Sequence, residues 1–308
     1  MSYIIIEKCQ ICNHRLNNFI DLGKQPLCDD LLSIPKKNMF YKLEVKFCEK
    51  CLTAYQKYNI VKKRLFPKRY HYRSANTKDV LVGMNDLVKK IQKKKNLRKK
   101  IVLDIGCNDG SLLDIFRKKG SITYGIEPTN AYLEAKKKGH KIFNNYFNFS
   151  LSNKIKKKIK KFDVITFTNV FAHIEDFKDL IRSLKNLVSN QTLIVIENHY
   201  LKEVVEKNQF DTFYHEHPRT YSLNSFNKIS QLLGLNILDF NFVKRYNGNL
   251  RVFLSNSNKS SAKLYKELEK EKKIIFKYKN MKHKINKWKK NKKKELTNLV
   301  KKFGPLPA

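Results

Sequence analysis

The sequence predicts an α/β protein with a mostly parallel sheet, a small cysteine-rich module before the sheet and a long helix after it. Short apolar runs alternate with helical stretches between residues 101 and 197, which is typical of a parallel sheet covered by helices on both faces. Two C-x-x-C pairs lie within the first 51 residues. An amphipathic, lysine-rich stretch runs from Ala262 to Phe303.

Length and composition place the chain among globular proteins. Its 308 residues can form one large domain or two modest ones, and 41% of them are hydrophobic. No run of about 18 apolar residues occurs, and the start lacks the features of a signal peptide. We therefore expect a cytoplasmic protein without a membrane span. In that compartment, the six cysteines are expected as metal ligands or core thiols rather than disulfides.

The net charge of +38 is compatible with a nucleic-acid binder, but the kind of basic residue argues against that function. Only 10 of the 65 basic residues are arginine, the residue that nucleic-acid sites favour for bidentate contacts. The lysines are spread along the chain, as compositional drift in an AT-rich genome would leave them. We therefore do not expect a nucleic-acid partner, although the charge would steer a phosphorylated substrate toward the protein.

The two cysteine pairs predict a structural zinc site in a module of residues 1–66. Two C-x-x-C knuckles supply four thiolates for a tetrahedral site, which leaves no position for a catalytic water. The 35 residues between the knuckles are expected to form a folded insert. The alternative is four reduced cysteines without a metal. The expected ligands are Cys9, Cys12, Cys48 and Cys51.

Residues 67–98 are expected to form a linker and a helix near 78–94. The linker carries an aromatic and basic cluster, Arg69-Tyr-His-Tyr-Arg-Ser74. This cluster is compatible with ordinary packing at a domain junction. Arg73 and the tyrosines could equally face a phosphorylated ligand.

A glycine turn organises the sheet domain, which is expected over residues 99–257. The strand Ile101–Ile105 is followed by Gly106 and Gly110, and a helix begins at Ser111. A strand, a glycine turn and a helix N-terminus form the first unit of a nucleotide-binding sheet. Further strands are expected at 122–127, 141–143, 162–168 and 191–197, with helices near 111–119, 129–138 and 176–188.

The turn does not match the dinucleotide pattern Gly-x-Gly-x-x-Gly, because Asn108 and Ser111 occupy the second and third glycine positions. It resembles motif I of the class I S-adenosylmethionine methyltransferases instead. A carboxylate at Glu127, 23 positions after Asp104, can accept hydrogen bonds from both ribose hydroxyls, as it would for NAD as well. The alternative is an α/β domain whose turn carries glycine by chance. The resemblance implies cofactor contacts from Asp104, Gly106, Asn108, Asp109, Gly110, Glu127 and Asn169.

Two further segments are candidates for chemistry. Asn169 and His173 follow a central strand, at the sheet edge where α/β proteins bind ligands, although a lone histidine is more often structural. Asp211–Pro218 contains Tyr214-His-Glu-His217, which fits a base–acid set better than a metal site because no third ligand is evident. The alternative is a hydrogen-bonded loop without chemistry. A helix at 224–233 and a hairpin at 237–254 follow.

Seven motifs in the same order identify a resemblance. The chain is similar to the sugar C-methyltransferases of deoxysugar pathways from about residue 5 to 300. The motifs are the paired knuckles, Leu22–Leu27, Asp104–Gly110, Gly125–Pro128, Asn169–His173, Gln209–His217 and Gly248–Val252.

The resemblance implies a class I fold, S-adenosylmethionine, structural zinc and a nucleotide-linked 4-keto-hexose as substrate. It also implies that Tyr214, Glu216 and His217 are catalytic, with His217 as the general base oriented by Glu216. His173 would assist, and Tyr72 would approach the sugar.

Two departures from the family pattern have consequences. The chain stops at Ala308 where the family carries a further domain, so residues 258–308 are expected to be a long basic helix at the start of a truncated domain. A partner chain or an oligomer could cover its apolar face. Pro218-Arg219 replaces the usual aromatic and serine after the base. Methylation of oxygen or nitrogen in a glycan or small metabolite, an RNA-binding zinc protein and a non-catalytic relic are the alternative functions.

Overall fold

The N-terminal module is built on an antiparallel meander. The computed structural model describes residues 3–28, 40–257 and 261–305. The elements of the module are β1 (Ile4–Ile5), β2 (Asn17–Gln25), β3 (Tyr41–Cys48), β4 (Thr53–Gln56), β5 (Tyr58–Asn59) and α1 (Lys62–Leu65). β2, β3 and β4 pair in sequence order, and β1 pairs with β5. Cys9–Cys12 precedes β2 and Cys48–Cys51 forms the turn between β3 and β4, so the meander brings the two knuckles together.

The segment between the knuckles therefore contains β2 and β3, which fits the expected folded insert. Residues 29–39 of that insert lie outside the described residues. A 3-10 turn at Ser74–Asn76 and helix α2 (Lys78–Gln92) connect the module to the large sheet. The predicted helix at 78–94 is thus confirmed within two residues of its end.

The large sheet alternates strands and helices as the sequence predicts. The elements between residues 101 and 255 are β6 (Ile101–Ile105), α3 (Ser111–Lys118), β7 (Ile122–Ile126), α4 (Tyr132–Lys137), β8 (Lys141–Phe143), α5 (Phe149–Lys158), β9 (Val164–Thr168), α6 (Phe177–Leu187), β10 (Leu193–His199), α7 (Leu201–Glu206), β11 (Arg219–Thr220), α8 (Leu223–Leu233), β12 (Asn236–Val243) and β13 (Asn249–Ser255). All of these strands except β11 belong to the large sheet. Two of the helices, α5 and α7, were not expected from the sequence.

The seven strands of this sheet have the order β12-β13-β10-β9-β6-β7-β8. β6 to β10 are parallel, and β13 runs antiparallel to both of its neighbours. The chain therefore reverses its direction of strand addition between β6 and β9, which is where open α/β sheets bind ligands. The predicted mostly parallel sheet with an antiparallel hairpin at its edge is confirmed.

The short strand β11 joins the two halves of the molecule. It follows Pro218 and pairs antiparallel with β4 of the module, with Arg219 opposite Tyr55 and Thr220 opposite Ala54. One continuous apolar core contains Cys9, Cys48 and Tyr55 of the module together with side chains of the large sheet. The module is therefore packed as part of the same body rather than attached through a linker alone.

The C-terminal stretch forms two helices, whereas a single helix over Ala262–Phe303 was expected. α9 (Ala262–Glu271) and α10 (Ile274–Phe303) meet at Lys272–Lys273. Glu271, which is fully buried, accepts hydrogen bonds of 2.7 Å from the backbone N–H groups of Leu223 and Asn224. Glu271, the last residue of α9, thus caps the N-terminus of α8. No helix in the described part of the chain is long and apolar enough to span a membrane.

Candidate active site

A cavity of about 510 Å³ lies at the carboxyl ends of β6, β7, β9 and β10. Its wall includes Gly106 and Asn108 of the glycine turn, Glu127 at the end of β7, and Tyr214 and His217 of the histidine-rich loop. The sequence places the turn and the loop more than 100 residues apart, and the fold brings them to one cavity. Other polar side chains in the wall include Tyr70, Tyr72, Asp104, Asn169, His173, His199 and Glu216.

The glycine turn is shaped by close contacts that exclude larger residues. Gly106 has a φ of +74°, and a Cβ atom there would lie 2.5 Å from Cγ2 of Val170. Asp104 is buried at the end of β6 and accepts a 2.6 Å hydrogen bond from Oγ1 of Thr166. Burial raises the pKa of Asp104 to about 7, and the nearby Glu127 adds to this effect.

Glu127 is held by three donors at the cavity wall. Its carboxylate accepts hydrogen bonds from the backbone N–H of Asn108 (3.0 Å) and from both the N–H (2.9 Å) and the hydroxyl (2.7 Å) of Thr129. Burial raises the pKa of this carboxyl group, while the Thr129 contacts oppose the rise. A fixed carboxylate beside a glycine turn without a Cβ fits the ribose end of S-adenosylmethionine.

Asn108 and Asp109 form hydrogen bonds with the linker segment that precedes α2. The side-chain oxygen of Asn108 accepts a hydrogen bond from Ser74 N (3.0 Å), and its amide donates to Tyr72 O (3.1 Å). The buried Asp109 carboxylate accepts from Ala75 N (2.8 Å) and from the N–H and hydroxyl of Ser111. Asp109 and Gly110 do not form part of the cavity wall, in contrast to the expected cofactor contacts.

Three histidines lie close together in the cavity wall. The ring centroid of His217 lies 5.0 Å from that of His173 and 5.2 Å from that of His199. Burial lowers the pKa of His173 to about 3 and that of His199 to about 4. Burial also lowers the pKa of His217 well below its usual range, and the other two imidazoles add to the shift. All three rings are therefore neutral at pH 7.

The hydrogen bonds of His217 define its tautomer. Nδ1 lies 3.1 Å from the carbonyl oxygen of Thr212, which can only accept a hydrogen bond, so Nδ1 carries the proton. Nε2 then has a lone pair and accepts from the hydroxyl of Tyr214 at 3.1 Å. This arrangement leaves a neutral, oriented imidazole that can act as a base.

Glu216 and the two linker tyrosines complete the wall. Tyr70 donates a 3.4 Å hydrogen bond to Oε2 of Glu216. The two ring nitrogens of His217 are hydrogen-bonded to Thr212 and Tyr214, and the orienting role expected for Glu216 stays a prediction. Burial raises the pKa of Tyr72 to about 12, so its phenol is neutral in the cavity.

The remaining candidate, Asn169, also lies in the wall. It has a φ of +55°, and its side-chain oxygen accepts from the amide of Asn249 at 3.2 Å. His199 had no role in the sequence analysis, although it ends β10 as Asn169 follows β9. The carboxyl-end rule that singled out Asn169 and His173 could therefore have found it.

The four expected zinc ligands converge in the module. Four of the distances between their Sγ atoms are 3.4 to 3.5 Å, and all four Sγ atoms lie within 4.8 Å of one another. A tetrahedral zinc with bonds of about 2.3 Å requires separations of about 3.8 Å. The donor set therefore fits a structural zinc. No position remains for water, so the chemistry of the cavity belongs to other residues.

A family model described as a methyltransferase domain matches residues 76–239, which is more than half of the chain. The chain belongs to this methyltransferase family. A second model, for a candidate zinc-binding domain, matches residues 9–66. The methyltransferase domain thus contains the glycine turn and the histidine-rich loop, and the zinc-binding model contains all four cysteines.

Individual relatives extend the comparison. The chain is 26% identical to the C-methyltransferase NovU of Streptomyces niveus over 256 residues, which is 80% of this chain and 60% of NovU. It is 34% identical over 106 residues to the ubiquinone biosynthesis O-methyltransferase of Histophilus somni (strain 2336), covering 32% of this chain and 44% of that protein. The chain thus spans about 60% or less of the length of these relatives.

Among solved structures, magnesium protoporphyrin IX methyltransferase of Synechocystis PCC 6803, with bound SAH, is 18% identical. The match covers 57% of this chain and 83% of that one, with a TM-score of 0.45.

Proposed function

We propose that this protein is an S-adenosylmethionine-dependent C-methyltransferase that acts on a nucleotide-linked keto-deoxysugar through an enolate. The observation that carries the proposal is the shared cavity, whose wall contains both the glycine turn at Gly106 and the base candidate His217. A methyl donor at the turn and a substrate at the histidines would then be adjacent reactants, and their alignment is a large part of catalysis. The partial similarity to a protein named C-methyltransferase supports the same reading.

The cavity residues suit abstraction of a proton next to a ketone. Such a carbon is acidic because the electron pair left behind delocalises onto the carbonyl oxygen. Nε2 of His217 is the proposed acceptor, since the Nδ1 proton is committed to Thr212. Burial lowers the pKa of His217 and keeps the imidazole neutral at pH 7, so the lone pair on Nε2 is not already protonated.

The enolate oxygen requires a donor, and two side chains are positioned for that role. The hydroxyl of Tyr214 lies 3.1 Å from Nε2 of His217, so its release from that nitrogen frees a donor as the base takes its proton. The ring centroid of His173 lies 5.0 Å from that of His217 in the same wall. We assign Tyr214 as the main donor and His173 as the assisting group, with Tyr72 and Glu216 contacting the sugar.

The methyl donor is assigned to the opposite end of the cavity. The backbone at Gly106 and Asn108 would lie against the bound donor, and the Glu127 carboxylate would accept hydrogen bonds from the ribose of the donor. When bound, S-adenosylmethionine supplies an electrophilic methyl group on a sulfonium. The zinc module covers one side of the histidine-rich loop, in which Glu216 and His217 are buried.

One experiment distinguishes C-methylation through an enolate from O-methylation. The purified protein is incubated in deuterated water with a TDP-4-keto-6-deoxyhexose and no methyl donor, and deuterium at the ring carbon is measured by NMR. Enolate chemistry requires exchange next to the ketone that depends on His217. Absence of exchange, together with a new methoxy group when S-adenosylmethionine is added, would assign the protein to O-methylation instead.

A further inference from the structure

Arg219 and Arg251 are the largest of the fully buried side chains, and Arg219 has no part in the proposed chemistry. It lies two residues after His217, in the short strand β11 that pairs with the zinc module. It also marks one of the two departures from the family pattern. A guanidinium that is only 1% exposed must have most of its five donors satisfied, because an unpaired buried charge is very costly.

The donors of Arg219 reach three separate parts of the chain. Nε donates to the hydroxyl of Tyr221 at 2.8 Å. One terminal nitrogen donates to the carbonyl oxygen of Glu175 at 3.1 Å and to the side-chain oxygen of Gln10, and the other donates to the carbonyl oxygen of Ile174. Gln10 lies inside the first cysteine knuckle, and Ile174 directly follows His173. One side chain thus connects the zinc module, the His173 segment and the His217 loop.

The charge of Arg219 also acts on the carboxyl group of Glu175: burial raises the pKa of Glu175, and the positive charges of Lys62 and Arg219 oppose the rise. Among the described residues, none of the ion pairs includes Arg219. The tyrosine opposite it in the ladder, Tyr55, donates or accepts a 3.1 Å hydrogen bond with Sγ of Cys9. A zinc ion with four thiolates carries net negative charge, since four thiolates outweigh one divalent cation. A buried guanidinium close to such a centre is the electrostatic complement it requires.

A second contact of the module acts on the same loop. Gln56, at the end of β4, donates from its side-chain amide to the carbonyl oxygens of Tyr214 and His217 (2.9 Å for His217). Its backbone N–H donates to Pro218 O at 2.9 Å. Gln56 thereby fixes one side of the loop, but it does not reach the His173 segment.

We propose that Arg219 is a positioning residue that sets the distance between His173 and His217 and couples both imidazoles to the metal-loaded module. The guanidinium group of Arg219 is planar and rigid. It therefore holds the carbonyl groups of Ile174 and Glu175, which follow His173, at a fixed position relative to strand β11, which follows His217. The inference deepens the proposed function, because the two histidines matter for catalysis only if that function is correct. The positioning itself is a property of the folded chain and can be measured without substrate.

The experiment compares backbone amide hydrogen exchange in the full-length, metal-loaded chain and in its Arg219→Met and Arg219→Lys variants. Arg98→Met is the matched control, because Arg98 is exposed and its side chain is absent from the cavity wall. Zinc content and the Kd for S-adenosylmethionine are measured on the same samples. Arg219→Lys retains the charge without the fork and carries the test if Arg219→Met does not fold.

We expect exchange about tenfold faster in peptides covering both 171–176 and 212–218, as follows from loss of hydrogen bonds to a charged group. The β6–β7 region and the Kd for S-adenosylmethionine should stay unchanged. Removal of zinc by a chelator from the unmodified chain should accelerate exchange in the same two segments. Unchanged exchange in either segment, or an equal rise throughout the sheet, would overturn the proposal.

Activity then separates this inference from the proposed function. If the unmodified chain methylates a keto-deoxysugar, Arg219→Lys should lower kcat more than tenfold while the affinity for S-adenosylmethionine is retained. If the unmodified chain methylates no sugar nucleotide, the proposed function fails, and the exchange data still decide the role of Arg219.

Discussion

Thr212 and His217 are joined by a 3.1 Å hydrogen bond between the backbone carbonyl oxygen of Thr212 and Nδ1 of the imidazole. This contact comes from the same loop as the histidine, so the tautomer of His217 is set locally. It leaves the lone pair of Nε2 directed at Tyr214. The base candidate is therefore oriented by a backbone carbonyl group of its own loop.

Replacement of His217 by Ala should lower methyl transfer by about 100-fold or more, the usual contribution of a general base. The Kd for S-adenosylmethionine should change little, because Gly106 and Glu127 lie at the other end of the cavity. Methyl transfer is measured with labelled donor, and donor binding is measured by calorimetry. His283→Ala, at an exposed position of α10, is the matched control. Full activity in His217→Ala would show that another group is the base.

The pKa of His173 predicts a specific pH dependence of stability. Burial lowers this pKa to about 3, so the folded state excludes a proton that the unfolded chain accepts below pH of about 6.5. The contribution of His173 is therefore fully present above that pH and is lost as the pH falls toward 3. Relative to His173→Asn, the free energy of unfolding should fall by about 2 kcal/mol more between pH 6.5 and pH 5.

Guanidinium unfolding of both proteins at pH 7.5, 6.5 and 5.0 measures this difference. The comparison between the two proteins cancels the contributions of buried groups that do not interact with His173, such as Asp104, whose raised pKa acts in the opposite direction. Equal losses of stability in the two proteins would mean that His173 is protonated in the folded state.

Gly106→Ala should weaken donor binding and lower stability. The added Cβ would lie 2.5 Å from Cγ2 of Val170, and the φ of +74° is unfavourable for alanine. Val170→Ala removes the clash but not the backbone strain, so the double variant should recover only part of the loss. Thermal unfolding and calorimetric titration with S-adenosylmethionine report both effects. If the double variant is no more stable and binds the donor no more tightly than Gly106→Ala, contact with Val170 is not the cause of these losses.

Much of this architecture follows from sequence periodicity, and the exceptions have identifiable causes. Buried strands such as Ile101–Ile105 are apolar runs next to glycine, so both their position and the ligand-binding edge could be predicted. α5 (Phe149–Lys158) was missed because its lysines obscure its apolar face. β11 was missed because two residues after a proline carry no strand pattern. Its pairing depends on β4, more than 160 residues earlier in the chain.

The candidate site, like the fold, could be predicted from the sequence only in part. Side chains at strand ends, such as His173, could be singled out because the carboxyl edge of the sheet is known in advance. The contacts that fix them could not, since the link from Arg219 to Ile174 and the hydrogen bond from Gln56 to His217 depend on tertiary packing. The capping of α8 by Glu271 is of this kind too.

The cysteine cluster predicts one zinc ion per chain in the purified protein. Cys48→Ser should abolish zinc binding and lower the unfolding temperature, because the metal joins both knuckles of the module. Elemental mass spectrometry gives the stoichiometry, and Cys28→Ser is the control because Cys28 is exposed and absent from the cluster. Retention of stoichiometric zinc by Cys48→Ser would exclude this set of ligands.

The most direct test of C-methylation is product analysis with a panel of TDP-linked 4-keto-6-deoxy sugars and S-adenosylmethionine. The shared cavity of Gly106 and His217 predicts a product heavier by one methylene unit, with the new methyl group bonded to a ring carbon in the NMR spectrum. A new methoxy signal, or methyl transfer that survives in His217→Ala, would contradict methylation through an enolate formed by this histidine.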